Sequence, residues 1–275
     1  NVSGVHGGKI QMISDQDVLV TGGVLDASGT YGGGSVLVGG DQHGTNLAVQ
    51  NAAHTLVDNG VSINASAIQA GDGGKVVVWS DHGTWYYGNI LARGGTSAGN
   101  GGFVEVSGKD FLQFGGTADR RAPHGRAGML LLDPTDLTIS ATGPSDVTCT
   151  LGDCSTNSAT STLTTAALEA ALSGGDVNVD ATAGTGTGTG TINWTDGSVD
   201  AGGHSLTLTA DGAITFNGTL TNVADLTFVG GELSGSGNAS GTGTISGLVS
   251  KTFALGGTTT GTAGGITFHD FTSAD

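Results

Sequence analysis

Apolar and polar residues alternate along most of this chain in short runs bounded by glycine pairs, as in "GGKVVVWSDHGTWYYGNILARGG" at 73 to 95. Taking the second glycine of a pair as zero aligns Gly8, Gly74 and Gly102 without gaps. Apolar side chains then fall at +2 (Ile10, Val76, Val104), +4 (Met12, Val78, Val106), +12 (Val20, Tyr86, Phe114) and +16 (Val24, Ile90, Ala118). A period of two is that of a strand with one buried face, so the even offsets are expected to point inward. Gly34 and Gly128 begin further units, and the starts are spaced by 26, 40, 28 and 26 residues. The long unit therefore carries an insertion, expected within 44–66, after which "AIQAGDGG" resumes the pattern.

Short strands and glycine turns repeating every 26 to 28 residues predict an all-β parallel β-helix, a solenoid in which each repeat is one coil. One coil cannot bury its inward side chains, but stacked coils pair each strand with its counterparts above and below. Coils are expected over 1–139 and again over 176–275, where "DVNVDA", "TINWTD", "SLTLTA", "AITFNG" and "DLTFVG" return at 8- to 14-residue intervals. Between them, 140–175 reads as a Ser/Thr-rich excursion. It ends in one short helix, "TTAALEAALSGG", with Thr164 or Thr165 as cap, Leu168 and Leu172 on one face and Gly174 after its end. A separate β-domain is the alternative for the second half.

Composition narrows the function. The 275 residues include 53 Gly but only 3 Pro and 5% aromatics, so the core must be thin and built from Val, Ile, Leu, Ala and Thr. A net charge of −16, from 24 acidic and 8 basic residues, repels phosphate backbones and excludes nucleic acid as a partner. The longest basic run is the pair Arg120 and Arg121. No apolar stretch approaches the ~20 residues of a membrane-spanning helix. The chain begins at Asn1 without a signal-like region and reads as a mature product or an excised fragment. Cys149 and Cys154, in "CTLGDC", have neither redox-motif spacing nor the companions of a zinc site. A local disulfide is expected, with two reduced thiols as the alternative.

The stretch "GGKVVVWSDHGTWYYGNILARGGTSAGNGGFVEVSGKDFLQFGG", followed by "GMLLLDPTDLTI", resembles the β-helical segments of two-partner secretion exoproteins, the filamentous haemagglutinin-like and high-molecular-weight adhesins of Gram-negative bacteria. The similarity is dense over about 73–139 and diffuse elsewhere. It implies a right-handed coil, export through a dedicated outer-membrane partner pore, and a place in the secreted or surface-attached part of a long adhesin. It supplies no catalytic residue, metal or cofactor, and the amino-terminal secretion-domain motif is not seen. The implied role is a rigid stalk displaying a surface to a host-cell, matrix or polysaccharide receptor. The alternative is a polysaccharide lyase or hydrolase on the same fold, which needs carboxylates or a basic group over a long groove. Three Glu and eight Lys/Arg in the whole chain argue against it.

Two surface features stand out. Offset +7 holds Asp15, Asp41 and Asp81 and then Lys109, a column that reads either as turn-capping aspartates or as a weak cation site. If stacked on adjacent coils, the carboxylates should raise one another's pKa. Trp79, Trp85 and Tyr87 fall on odd offsets and are expected to point outward. They either stack on sugars or lie beneath the insertion, whose "LAV" and "HTLV" offer apolar cover. Cover is the favoured reading. The run "GTGTGTGT" at 184–191 reads as flexible linker.

Overall fold

The computed structural model describes residues 1–275 apart from 144–146, 151–152, 157–159, 183–187, 248–253, 256–259, 264, 272 and 275. The chain is mostly β and builds large parallel sheets. Each circuit of the chain lays a strand in a first sheet, a strand in a second and a strand on a third side, then returns to the first. The first sheet has ten strands, running from Lys9–Met12 through Lys75–Val78 and Phe103–Ser107 to Ser273–Ala274. The glycine-anchored alignment is its register, because Ile10, Val36, Val76, Val104, Leu130, Val177, Leu206, Leu226 and Ile245 are consecutive Cα partners. Both halves of the chain thus contribute strands to one sheet.

The inward column is the core. Val76, Val78, Tyr86, Ile90, Val104, Val106 and Phe114 are all buried, as the even offsets require. The glycine pairs sit where neighbouring circuits touch: a Cβ at Gly33 would collide with the Ala65 carbonyl, and one at Gly74 with that of Gly34. Further along, aromatics fill the interior, with Trp194, Phe216, Phe228 and Phe268 in successive contact at ring-centroid distances of 4.7, 6.2 and 6.3 Å.

Four expectations need correction. Val24 is 65% exposed, and Leu25 instead aligns with Ile63 and Ile90. The first circuit holds one extra residue at Gly22–Gly23, where Gly23 has φ +104, and a one-residue slip turns every later side chain to the opposite face. The insertion is shorter than 44–66. His54–Val57 and Val61–Asn64 are regular strands of the second and third sheets, with Thr55, Val57, Val61 and Ile63 buried, so the extra residues span 39–53.

The short helix is not an outlying excursion. Ser161–Thr164 enters the second sheet between Phe111–Phe114 and Leu137–Ser140, and the helix Thr165–Leu172 then takes the place of a strand on the third side. It packs between Thr117–Asp119 and Ser198–Asp200, burying Leu168, Ala171 and Leu172, with the Thr164 hydroxyl capping the Ala167 N–H. The excursion proper is 141–160. Finally, the third side ends in antiparallel pairing, Thr260–Ala263 between Ile266–His269 and Ala254–Leu255, where parallel pairing was expected.

Residues 188–191 of the Thr-Gly run are pinned, since Asp136 accepts hydrogen bonds from the backbone N–H and hydroxyl of both Thr189 and Thr191. Residues 184–187 lie outside the described residues. Among the described residues, no helix is long and apolar enough to cross a membrane.

Candidate functional site

The outer face of the first sheet carries a second, smaller apolar cluster because the inserted 39–53 segment folds down on it. Leu37 and Val77, which point outward, are buried with Trp79 under Val49 of the insertion. The indole of Trp79 also lies against Gly40 and Gly44, where any side chain would collide with it, and its Nε1 donates to Asp81 at 3.2 Å. Of "LAV", Val49 alone covers Trp79, whereas Leu47 is fully exposed. "HTLV" does not take part as loop, being a strand. Trp85 is buried another way: the indole lies over Gly83 between His54 and Phe111, at centroid distances of 6.0 and 5.4 Å. Tyr87 is half-buried. None of the three forms an open aromatic platform.

Two of the +7 aspartates, Asp41 and Asp81, find separate partners. Asp41 caps the turn Gln42–Gly44 through the Gln42 N–H and bonds Lys75 Nζ at 2.8 Å and Asn46 Nδ2 at 2.8 Å. Burial works against its charge, but Lys75, Asn46 and the Gln42 N–H outweigh it and hold the carboxyl at about 2, opposite to the expected rise. Asp81 accepts from Asn51 at 3.0 Å, which fastens the far end of the insertion. Asp15 is exposed on the first circuit. The Lys109 backbone, rather than its ammonium, enters the framework, its carbonyl accepting from the Thr135 hydroxyl.

The insertion instead gathers residues that the column did not include. His43 lies in the left-handed region at φ 54, ψ 14, and its N–H donates to Glu105 Oε1 at 3.0 Å. Its ring Nδ1 is 3.0 Å from Asp133 Oδ2. One ligand-type atom from each of His43, Glu105 and Asp133 lies within 4.8 Å of the others, and among the described residues no second group of three does so. Glu105 is wholly buried; that burial lifts its carboxyl to about 7, against the pull of the His43 N–H. Burial likewise lifts Asp133 to about 6, with the Asp180 charge adding to it against His43.

A sequence signal for this site existed. Leu37, Val77, Glu105 and Leu131 are consecutive partners on the outward face. Three apolar residues around one carboxylate mark a covered outer face rather than a solvated one. His43 had no such signal, because its loop has no periodicity.

A second feature lies on the third side, where a cavity of about 770 Å³ opens beside the turns that follow its strands. Ile68, Leu91 and Pro123 supply apolar wall, and Arg93, Arg121 and His204 supply the polar lining. Both guanidinium groups reach Asp119, at 2.5 Å from Arg93 and 2.6 Å from Arg121. Two cations share one carboxylate, so this groove is locally positive on a chain of net charge −16.

Cys149 and Cys154 are directly opposed in the antiparallel ribbon of Val147–Thr150 and Asp153–Thr156. Their side chains lie outside the described residues. Compared with known proteins, the chain matches no family model and no curated protein.

Proposed function

We propose that this chain is a right-handed parallel β-helix acting as a rigid, non-enzymatic segment of a secreted or surface-attached adhesin of a Gram-negative bacterium, exported through an outer-membrane partner pore. The observation that carries the reading is the ten-strand first sheet, whose inward column runs in register through both halves of the chain. At ~4.8 Å per strand, such a column is a rod of roughly 43 Å. Right-handedness follows from the general preference of parallel crossovers. The resemblance over 73–139 supports the family assignment.

Receptor contact falls to the groove of Arg93 and Arg121, since Trp79 and Trp85 are covered. Asp119 holds the Nε–H and one NH2 of each guanidinium, but the two groups together outweigh its single charge and stay partly exposed. That suits an acidic sugar, whose carboxylate meets their outer N–H groups and whose ring face takes Ile68 and Leu91. The lyase or hydrolase reading is the alternative and requires reachable carboxyls; of the two that burial lifts, Glu105 has no exposed surface and Asp133 little.

Beads coated with the purified chain test the proposal. They should attach to cells bearing acidic glycans, and an Arg93→Gln, Arg121→Gln variant should lose that attachment while remaining folded. Shortening of an offered polysaccharide by the purified chain would overturn the non-enzymatic reading.

A further inference from the structure

The polar cluster beneath the insertion contains an unresolved cost. Glu105 is fully buried, yet only Oε1 has a hydrogen-bond partner, and Oε2 has none. Ser107 stands on the same outward face two residues on and is the Cα partner of Asp133. It too is fully buried; its hydroxyl favours the Glu105 charge weakly, but the geometry falls short of a hydrogen bond, so Oγ is left without a partner. Buried polar atoms left unpaired destabilise a fold, a charged group most of all. His43 adds a left-handed backbone at a residue with a Cβ, a conformation retained only where its surroundings enforce it.

We propose that His43, Glu105 and Asp133 bind a zinc-class divalent cation, which fastens the inserted 39–53 segment to the outer face of the first sheet. The donors are one imidazole nitrogen and two carboxylates, with a charge of −2 when the imidazole is neutral. That set suits a borderline transition metal, whereas calcium takes six to eight oxygens. Around a tetrahedral ion with bonds of about 2.0–2.1 Å, neighbouring ligand atoms stand roughly 3.3 Å apart. The His43 Nδ1 to Asp133 Oδ2 separation of 3.0 Å is close to that, and Glu105 Oε2 is the acceptor still free. His43 is exposed, leaving the outer side for water as a fourth ligand. The ligands come from positions 62 and 90 residues apart from His43, so the ion would join the insertion to two successive strands.

The experiment titrates zinc into metal-stripped protein by calorimetry. The imidazoles of half-buried His54 and exposed His82, 5.7 Å apart, are a rival place for adventitious zinc, so both are first replaced by Gln. One zinc should bind per chain and raise the thermal midpoint. His43→Asn keeps a residue type that tolerates the left-handed backbone but loses the ring nitrogen. Glu105→Gln keeps the shape and loses the charge. Each should weaken binding on the order of 100-fold, while circular dichroism of the metal-free variants stays that of the parent. Absence of stoichiometric binding in the parent, or undiminished binding in both variants, would overturn the site. Neither result bears on attachment through Arg93 and Arg121, so this proposal and the adhesin reading fail separately.

Discussion

Tyr86 and Phe114 stack inside the core on adjacent circuits, ring centroids 5.5 Å apart and planes within 15°. Their contact continues the +12 column, and it leaves the Tyr86 hydroxyl in an apolar interior with no hydrogen-bond partner. Burial pushes the phenol's pKa well up. In the unfolded chain that hydroxyl is hydrated, so it favours unfolding. Tyr86→Phe should therefore stabilise the protein by about 1–2 kcal/mol, seen as a higher urea midpoint with an unchanged slope. A lower midpoint would mean that the hydroxyl has a partner.

Arg120 is fully buried beside the helix, where its guanidinium donates to the carbonyls of Ala118, Ala171 and Asp176. It thereby ties the last turn of the helix, the end that attracts positive charge, to strands on both sides. Burial draws its pKa down to about 10, with Asp119 and Asp176 opposing, so it stays charged at neutral pH. Arg120→Met keeps much of the volume and removes the donors. A loss of about 2–4 kcal/mol is expected in urea unfolding, with limited proteolysis first cutting near the helix. An unchanged midpoint would show that the three carbonyls need no donor.

Asp119 gives a pH dependence of definite sign. Burial opposes its charge, but Arg121 and Arg93 prevail and hold the carboxyl at about 2, below its ordinary 3.8. A depressed carboxyl contributes stability above its unfolded pKa and loses it as pH falls toward the folded one. The stability difference between the parent and Asp119→Asn should be constant near neutrality, then shrink from about pH 4 toward pH 2. The groove is partly open to solvent, so added salt should reduce the difference as well. A difference that grows on acidification would contradict the ion pairs.

The register that opposes Cys149 and Cys154 in a two-stranded ribbon suits a cross-strand disulfide, since paired Cα atoms lie at bridging distance. Alkylation of unreduced protein should leave both cysteines unlabelled, and intact mass should show two labels after reduction. Two labels before reduction would refute the bridge. Cleaving it should loosen 141–160 alone, because the sheets on either side pair without it.

Much of the fold was readable from residues alone, because glycine pairs and a period of two are local signals with a shared origin. Val76, Val104 and Leu130 could be aligned by counting from a glycine, since that glycine is where one circuit touches the next. Counting failed wherever a circuit changed length. The extra residue at Gly22–Gly23 displaced Val24, and the insertion hid the strands His54–Val57 and Val61–Asn64. The pattern "TTAALEAALSGG" was enough for a helix, its cap and its buried leucines. Its place in the wall depended on Ser161–Thr164 entering the second sheet out of sequence order, which no local pattern encodes.

Charges divide the same way. Composition determined that the molecule is acidic, because net charge is a sum over residues. Where a charge resides depends on which chain segments meet. Arg120, half of the longest basic run, is buried under a helix 45 residues on, whereas Asp41, assigned to a carboxylate column, is held by Lys75. His43, Glu105 and Asp133 are neighbours only because a loop folds across two strands that the repeat had already stacked. Local alternation determined the strands and their inward faces, through side-chain burial that repeats from circuit to circuit. That the outer face is covered had a signal in its apolar residues, but the tertiary structure alone decided where the insertion lies on it and which side chains meet there, because an insertion has no counterpart in the repeat against which its position can be counted.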